Sequence, residues 1–259
     1  MSSKLRKYIA QQPQIPKRFR YRTPLLISDS KVYTIRNACA QNEFPIESWC
    51  KAGARTSELV DIIQERIEKA IKRHNQIEIY LWSGTCDLTI KKGKYIHLRN
   101  RDNKTIEQIE KQYIRTIKIV EKYPAADIKL IDCPILSIVS YNKYKGHNNP
   151  ETFKTDDFQI TRQIKHLNTK IIEINNRLNK NTINISKYFF RGRKSKKGST
   201  RRSVKITVNK RDGVHPGQLL SLVIAKQILI DTYSECYHIT QESELVTLRV
   251  EEEELLTLF

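Results

Sequence analysis

The sequence predicts an α/β fold, a parallel sheet covered by helices on both faces, from three observations. Short apolar runs recur along the chain, Leu25-Leu26-Ile27 and Ile77 to Trp82 among them. Between them lie stretches whose apolar residues keep a 3.6-residue period. Alternation of the two builds β–α–β units, and right-handed crossovers then restrict the topology. The third observation is size: 259 residues and 30.4 kDa, 39% apolar, suit one such domain with one core.

The elements follow in order. Pro24 to Ile27 reads as a first buried strand and Pro45 to Trp49 as a second. Leu59, Ile62, Ile63, Ile67, Ala70 and Ile71 share one face and predict a helix over 57–73. Glu58 and Asp61 lie in its first turn, where the helix dipole favours acids. Ile77 to Trp82 is the third strand, with Tyr80 and Trp82 as core residues. Thr105-Ile106-Glu107-Gln108 has the form of a capping box and starts a helix whose inner face runs Ile106, Ile109, Tyr113, Ile117, Val120. A fourth strand lies within Asp127 to Asp132. Asp156 or Asp157 is predicted to cap a long helix with Ile160, Ile164, Leu167, Ile171, Ile174 and Leu178 inward. Thr182 to Ile185 is a short fifth strand, and Pro216 is placed as the first residue of a last helix. The domain is expected over 23–234, with a basic arm at 1–22 and an acidic extension at 235–259.

Charge is unevenly spread. The net is +19. Residues 1–22 hold seven Lys or Arg and no acid; residues 190–211 hold ten and no acid. Removing these 17 from the 47 basic residues leaves 30 against 28 acids, so the body is nearly neutral with two basic attachments. Arg191, Arg193, Lys194, Lys196, Lys197, Arg201 and Arg202 form a low-complexity basic loop, expected to contact nucleic acid or another polyanion. Tyr188, Phe189 and Phe190 adjoin it, either to stack on bases or to anchor the loop in the core. Residues 235–259 carry seven Glu against one Arg, and Leu245 to Val250 alternates as an edge strand would. Five cysteines without paired spacing give neither a disulfide framework nor a zinc site, and point to a reducing compartment, cytoplasmic or nuclear. No apolar run is long enough to span a bilayer. No signature for a metal or organic cofactor is present, and the chemistry below needs none.

In a parallel sheet, sites form beyond the carboxyl ends of the strands. Ser30 follows the first strand, Gly53 the second, Gly84 to Asp87 the third, and Asp212-Gly213-Val214-His215-Pro216 the fifth. A serine hydrolase needs a hydroxyl, a base to take its proton, a carboxylate to orient the base and donors for the oxyanion. Ser30, His215 and Asp212 fit the first three roles. The backbone amides of Ser30 and Gly53 fit the fourth.

These residues resemble the four sequence blocks of the SGNH (GDSL-type) hydrolase superfamily, in order over about residues 24–232. Ser28-Asp29-Ser30 resembles the Gly-Asp-Ser block, and Gly53 the second-block glycine. Gly84-Thr85-Cys86-Asp87 resembles the Gly-x-Asn-Asp block and Asp212 to His215 the Asp-x-x-His block. The resemblance implies a three-layer α/β/α, flavodoxin-like fold with a central parallel sheet of about five strands. It implies an esterase or acyl hydrolase working through an acyl-Ser30 intermediate, with Ser30, Asp212 and His215 catalytic. The oxyanion positions are then Ser30, Gly53 and Cys86. Ser28 stands where the family has glycine, and Cys86 where it has the asparagine that donates to the oxyanion. A thiol is a poor donor, and losing one oxyanion donor typically costs roughly 10²–10³ in rate. Two readings stay open: a weakened hydrolase of an ester or acylated substrate, anionic if the basic segment flanks the pocket, or an inactive SGNH-fold protein that binds nucleic acid or another polyanion.

Overall fold

The computed structural model describes residues 2–11, 13, 18–39, 45–193, 203–206 and 212–239. In chain order these form α1 (Ser2–Ala10), β1 (Arg18–Arg20), β2 (Thr23–Ser28), α2 (Lys31–Ala38), β3 (Glu47–Cys50), α3 (Thr56–His74) and β4 (Ile77–Trp82). There follow α4 (Thr85–Leu88), β5 (Thr89–Lys92), β6 (Tyr95–Leu98), α5 (Lys104–Val120), β7 (Ala126–Leu130), α6 (Ile138–Tyr144) and α7 (Lys154–Arg177). The last elements are β8 (Phe190–Arg193), β9 (Ser203–Ile206), α8 (Gln218–Glu235) and β10 (Tyr237–Ile239).

The centre is a parallel sheet in the order β3-β2-β4-β7. Helices cover both faces, so β2 and β4 are buried along their whole length. Leu25, Leu26, Ile27, Ile79, Tyr80, Leu81 and Trp82 form its core. α3, α5 and α7 make one outer layer, α2 and α8 the other, and α1 packs on α8. This is the expected three-layer α/β/α architecture.

The fifth strand is reduced to a single parallel bridge, Ile131 to Ile183. The reason lies on α7. Asn175 accepts from the Leu130 amide and donates to the Leu130 carbonyl, and Asn168 does the same for Cys133. Two helix asparagines satisfy the sheet edge that a full strand would have used. Asp132 then ties down the next segment by accepting from the amides of Ile185 and Ser186.

Three predicted helix starts move. Thr105 is not a cap: α5 begins at Lys104, and the Thr105 hydroxyl is buried and accepts from Asn100. Asp156 and Asp157 sit in the first turn of α7 and do not cap it. Asp157 instead caps α6, accepting from the amides of Ile138 and Val139 and the hydroxyl of Ser137. Pro216 lies two residues before α8, whose N-cap is Gly217; the Pro216 carbonyl accepts from Ser221 in the first turn.

The basic segment is not a plain loop throughout: β8 and β9 pair antiparallel, Arg191 opposite Lys205 and Arg193 opposite Ser203. Lys194, Lys196, Lys197, Arg201 and Arg202 lie outside the described residues, as does Leu245 to Val250. Phe189 is fully buried, the anchoring role, and Tyr188 stacks on Tyr8 of α1. β1 pairs antiparallel with β10.

At the amino ends of the strands sits a charge network. Arg22 bridges Glu78 and Asp127, Lys180 reaches Glu78, Asp127 and Glu235, and Lys129 holds Asp231 and Glu235. Glu78 and Lys129 are fully buried.

Candidate active site

Strand register brings the predicted residues to one edge. Ser28 is opposite both Cys50 and Trp82. Ser30, Gly53 and Gly84 follow these positions by two or three residues, so all three emerge together at the carboxyl end of the sheet. Gly53 turns with φ +72°, a conformation side chains disfavour.

Asp212 and His215 arrive from the other end of the chain. Ser30 Oγ lies 2.9 Å from His215 Nε2, and His215 Nδ1 lies 2.6 Å from Asp212 Oδ2. The other Asp212 oxygen accepts from the amides of Val214 and His215, each at 2.9 Å. Burial works to raise the Asp212 pKa, but the His215 ring and these two amides outweigh it and hold the carboxyl below its ordinary value. It is therefore ionised at neutral pH and fixes the imidazole. The turn needs Gly213: φ is +76°, and a Cβ there would meet Ser140 Cβ at 2.5 Å. The Gly213 carbonyl accepts from the Ser137 amide, just before α6, so the loop is clamped to that helix.

Beneath Ser30 lies a feature the sequence reading missed. Asp29 and Lys31, each 1% exposed, form a buried ion pair. Lys31 Nζ also donates to Thr85 Oγ1 at 2.7 Å and lies 5.2 Å from the Trp82 ring centre. Burial opposes both charges, yet each holds the other ionised: the Asp29 pKa is lowered and the Lys31 pKa raised. No periodic signal marks a buried lysine; only the Asp-Ser-Lys spacing hints at it. Ser28, the departure from glycine, donates to the Trp82 carbonyl at 2.5 Å and so stitches β2 to β4.

Cys86 is at the mouth of the same cluster. Its Sγ lies 3.3 Å from Asp29 Oδ2, and burial pushes the thiol up to about 12. It is a neutral, half-buried thiol facing a carboxylate, not a thiolate. Cys133 is fully buried, and all five cysteines are free.

Two hollows flank Ser30 and His215. One, about 420 Å³, is lined by Gly53, Thr85, Cys86, Ile96, Leu136 and Tyr141, together with cationic side chains. The other, about 790 Å³ and more open, runs along α2 towards the start of α8 past Tyr33, Asn37, Tyr144 and Gln218. A third groove, between α3 and α5, holds none of the predicted site residues. The wall of the first hollow includes the β5–β6 hairpin, which the sequence reading also missed. Its signal was Gly93 between two short alternating runs; the φ there is +61°. Asn142 of α6 pins the hairpin by bonding both backbone groups of Ile96. His147 stands edge-on to Tyr95 and Phe153.

Among the described residues, no cluster of His, Cys, Asp and Glu fit to hold a metal ion is found, and no helix is long and apolar enough to cross a membrane.

No family model matches the chain, and no curated protein does. Solved structures do. A protein from Bacteroides fragilis NCTC 9343 that carries the provisional description acylhydrolase superposes with a TM-score of 0.52 at 10% identity, over 88% of this chain and 93% of that one. A lipase/acylhydrolase from Enterococcus faecalis gives 0.49 at 13% identity, over 85% and 99%. A GDSL-like lipase from Bacteroides thetaiotaomicron VPI-5482 gives 0.49 at 13%, over 90% and 98%. The Bacteroides fragilis protein thus shares the fold of this chain, at a sequence identity of only 10%.

Proposed function

We propose that the protein is a serine hydrolase that cleaves an ester or removes an acyl group. The observation that carries this is the continuous line from Asp212 through His215 to Ser30 Oγ, closed across 185 residues of sequence at the mouth of a parallel sheet. Ser30 Oγ attacks the carbonyl carbon while His215 Nε2 takes its proton. Asp212 orients the imidazole and stabilises its charged form. The backbone amides of Ser30 and Gly53 hold the oxyanion. Collapse of the intermediate expels the alcohol, which takes the proton from His215, and leaves acyl-Ser30. Water, activated by the same base, then releases the acid. The Cys86 thiol donates its one hydrogen to Asp29 rather than to the oxyanion, so turnover is slower than a carboxamide there would allow, by roughly 10²–10³. The buried Lys31 matters here, because it offsets the Asp29 carboxylate lying directly under the oxyanion positions.

The test is labelling with a fluorophosphonate probe, with the adduct mapped by mass spectrometry. The expected adduct is on Ser30 of the wild type and absent from Ser30→Ala. A folded wild type and a folded Cys86→Asn variant that both stay unlabelled would sink the reading.

A second reading has its own support: two acid-free windows hold 17 of the 47 basic residues. In it the protein binds nucleic acid or another polyanion through residues 190–211, inside a reducing compartment that suits five free cysteines. Retention on heparin or DNA then falls with salt and falls further when 191–202 is deleted. Retention indifferent to that deletion removes the role from this segment.

A further inference from the structure

Arg55, Lys91 and Arg99 line the 420 Å³ hollow beside Ser30. Lys31, in the same wall, is spent on Asp29. The other three are not: among the described residues, no carboxylate lies within ion-pair distance of Arg55, Lys91 or Arg99. Arg99 is nevertheless fixed. Its Nε donates to the Asp87 carbonyl at 2.6 Å, and its Nη2 to the carbonyls of Thr89 at 2.7 Å and Cys86 at 3.3 Å. Neutral carbonyls hold the guanidinium in place without cancelling its charge. The Asp87 carboxylate is turned to the amide and hydroxyl of Thr56. Burial and then the neighbouring Arg55 charge push the Arg99 pKa down, against the opposing pull of Asp87. With Nε and Nη2 committed to these carbonyls, Nη1 is the nitrogen left to donate to an oxyanion.

We propose that this hollow recognises an anionic substituent, a carboxylate or a phosphate, on the part of the ester that enters beside the oxyanion positions, with Arg99 as the fixed contact and Arg55 and Lys91 closing over it. The substrate class is thus an ester with a negatively charged acyl or alcohol portion. This inference rests on the hydrolase reading for its catalytic outcome, but the anion site can be read independently.

The experiment compares mono-4-nitrophenyl glutarate with 4-nitrophenyl pentanoate, and 4-acetoxybenzoate with phenyl acetate, at low ionic strength. These pairs place the charge on the acyl or the alcohol side. In one pair, kcat/KM for the anionic ester is expected to exceed its neutral partner by about tenfold or more, the scale of a hydrogen bond to a charged group. The preference shrinks severalfold in Lys91→Gln and in Arg55→Gln, through KM, and shrinks as salt is added. Inhibition by glutarate against inhibition by inorganic phosphate tells carboxylate from phosphate. Equal rates on both members of both pairs, or a preference untouched in the Arg55→Gln/Lys91→Gln double variant, overturns the proposal. Calorimetric titration of the wild type with glutarate and with phosphate separates the two readings. Saturable binding lost in the double variant, without hydrolysis of any ester or labelling of Ser30, leaves the anion site standing and removes the hydrolase. Binding of neither anion removes the anion site.

Discussion

At the scale of single residues, the buried Asp29–Lys31 pair is the most consequential arrangement near Ser30. Removing one member of a buried pair leaves an uncompensated charge, so Lys31→Met is expected to destabilise the fold by about 3–5 kcal/mol in urea denaturation. Adding Asp29→Asn should restore much of that loss, and a double variant as unstable as Lys31→Met would refute the pairing argument. Cys86 yields a second prediction. If Ser30 is the nucleophile, Cys86→Asn raises kcat by about tenfold or more with little change in KM. An unchanged kcat would mean that Asp29, 3.3 Å from Sγ in the wild type, captures the new amide. The sequence put Ser30 at a strand end and Asp212 and His215 in one turn, and their side chains do lie within hydrogen-bond distance of one another. Lys31, Arg55, Lys91 and Arg99 were not legible in the sequence. A lysine's burial or an arginine's place in a wall depends on contacts made through the fold, such as Lys31 to Thr85, 54 residues away.

At the scale of elements, strands and helix faces were readable from periodicity, while helix ends and sheet edges were not. Periodicity reports the face turned to the core and says nothing about which polar group reaches a terminus. Asp157 illustrates this: it belongs to α7 in sequence but caps α6 in space. Asp157→Ala is therefore expected to cost about 1–2 kcal/mol, as losing a helix cap does, and also to lower kcat, because α6 clamps the Gly213 carbonyl. Loss of stability with unchanged kcat would break the link between cap and site. Gly213→Ala should act more strongly on activity, since its Cβ would collide with Ser140 Cβ at 2.5 Å and displace the Asp212–His215 turn. The missing fifth strand has the same origin: nothing in Thr182 to Ile185 announces that Asn168 and Asn175 of α7 already occupy the edge.

For the whole molecule, charge is arranged at both ends of the sheet. At the amino end, Glu78 is fully buried among Arg22, Lys180, Asp127 and Glu235, and burial lifts its pKa to about 7. A carboxyl whose folded pKa exceeds its unfolded value binds its proton more tightly when folded. Its stabilising contribution is complete below about pH 4.3 and is lost as pH climbs through about 7. Tm is expected to fall more steeply between pH 5 and pH 8 in the wild type than in Glu78→Gln; equal slopes would remove Glu78 as the cause. The three-layer architecture was visible in the alternation of apolar runs, but this network was not, because its members come from five separate segments of the chain. The 185 residues between Ser30 and His215 also carry a consequence for synthesis. At about 5–20 residues per second, the ribosome makes the serine roughly 10–40 seconds before the histidine. Through that interval the nascent chain carries a hydroxyl with no base to activate it, so any activity is timed by translation to begin only after His215 has been made.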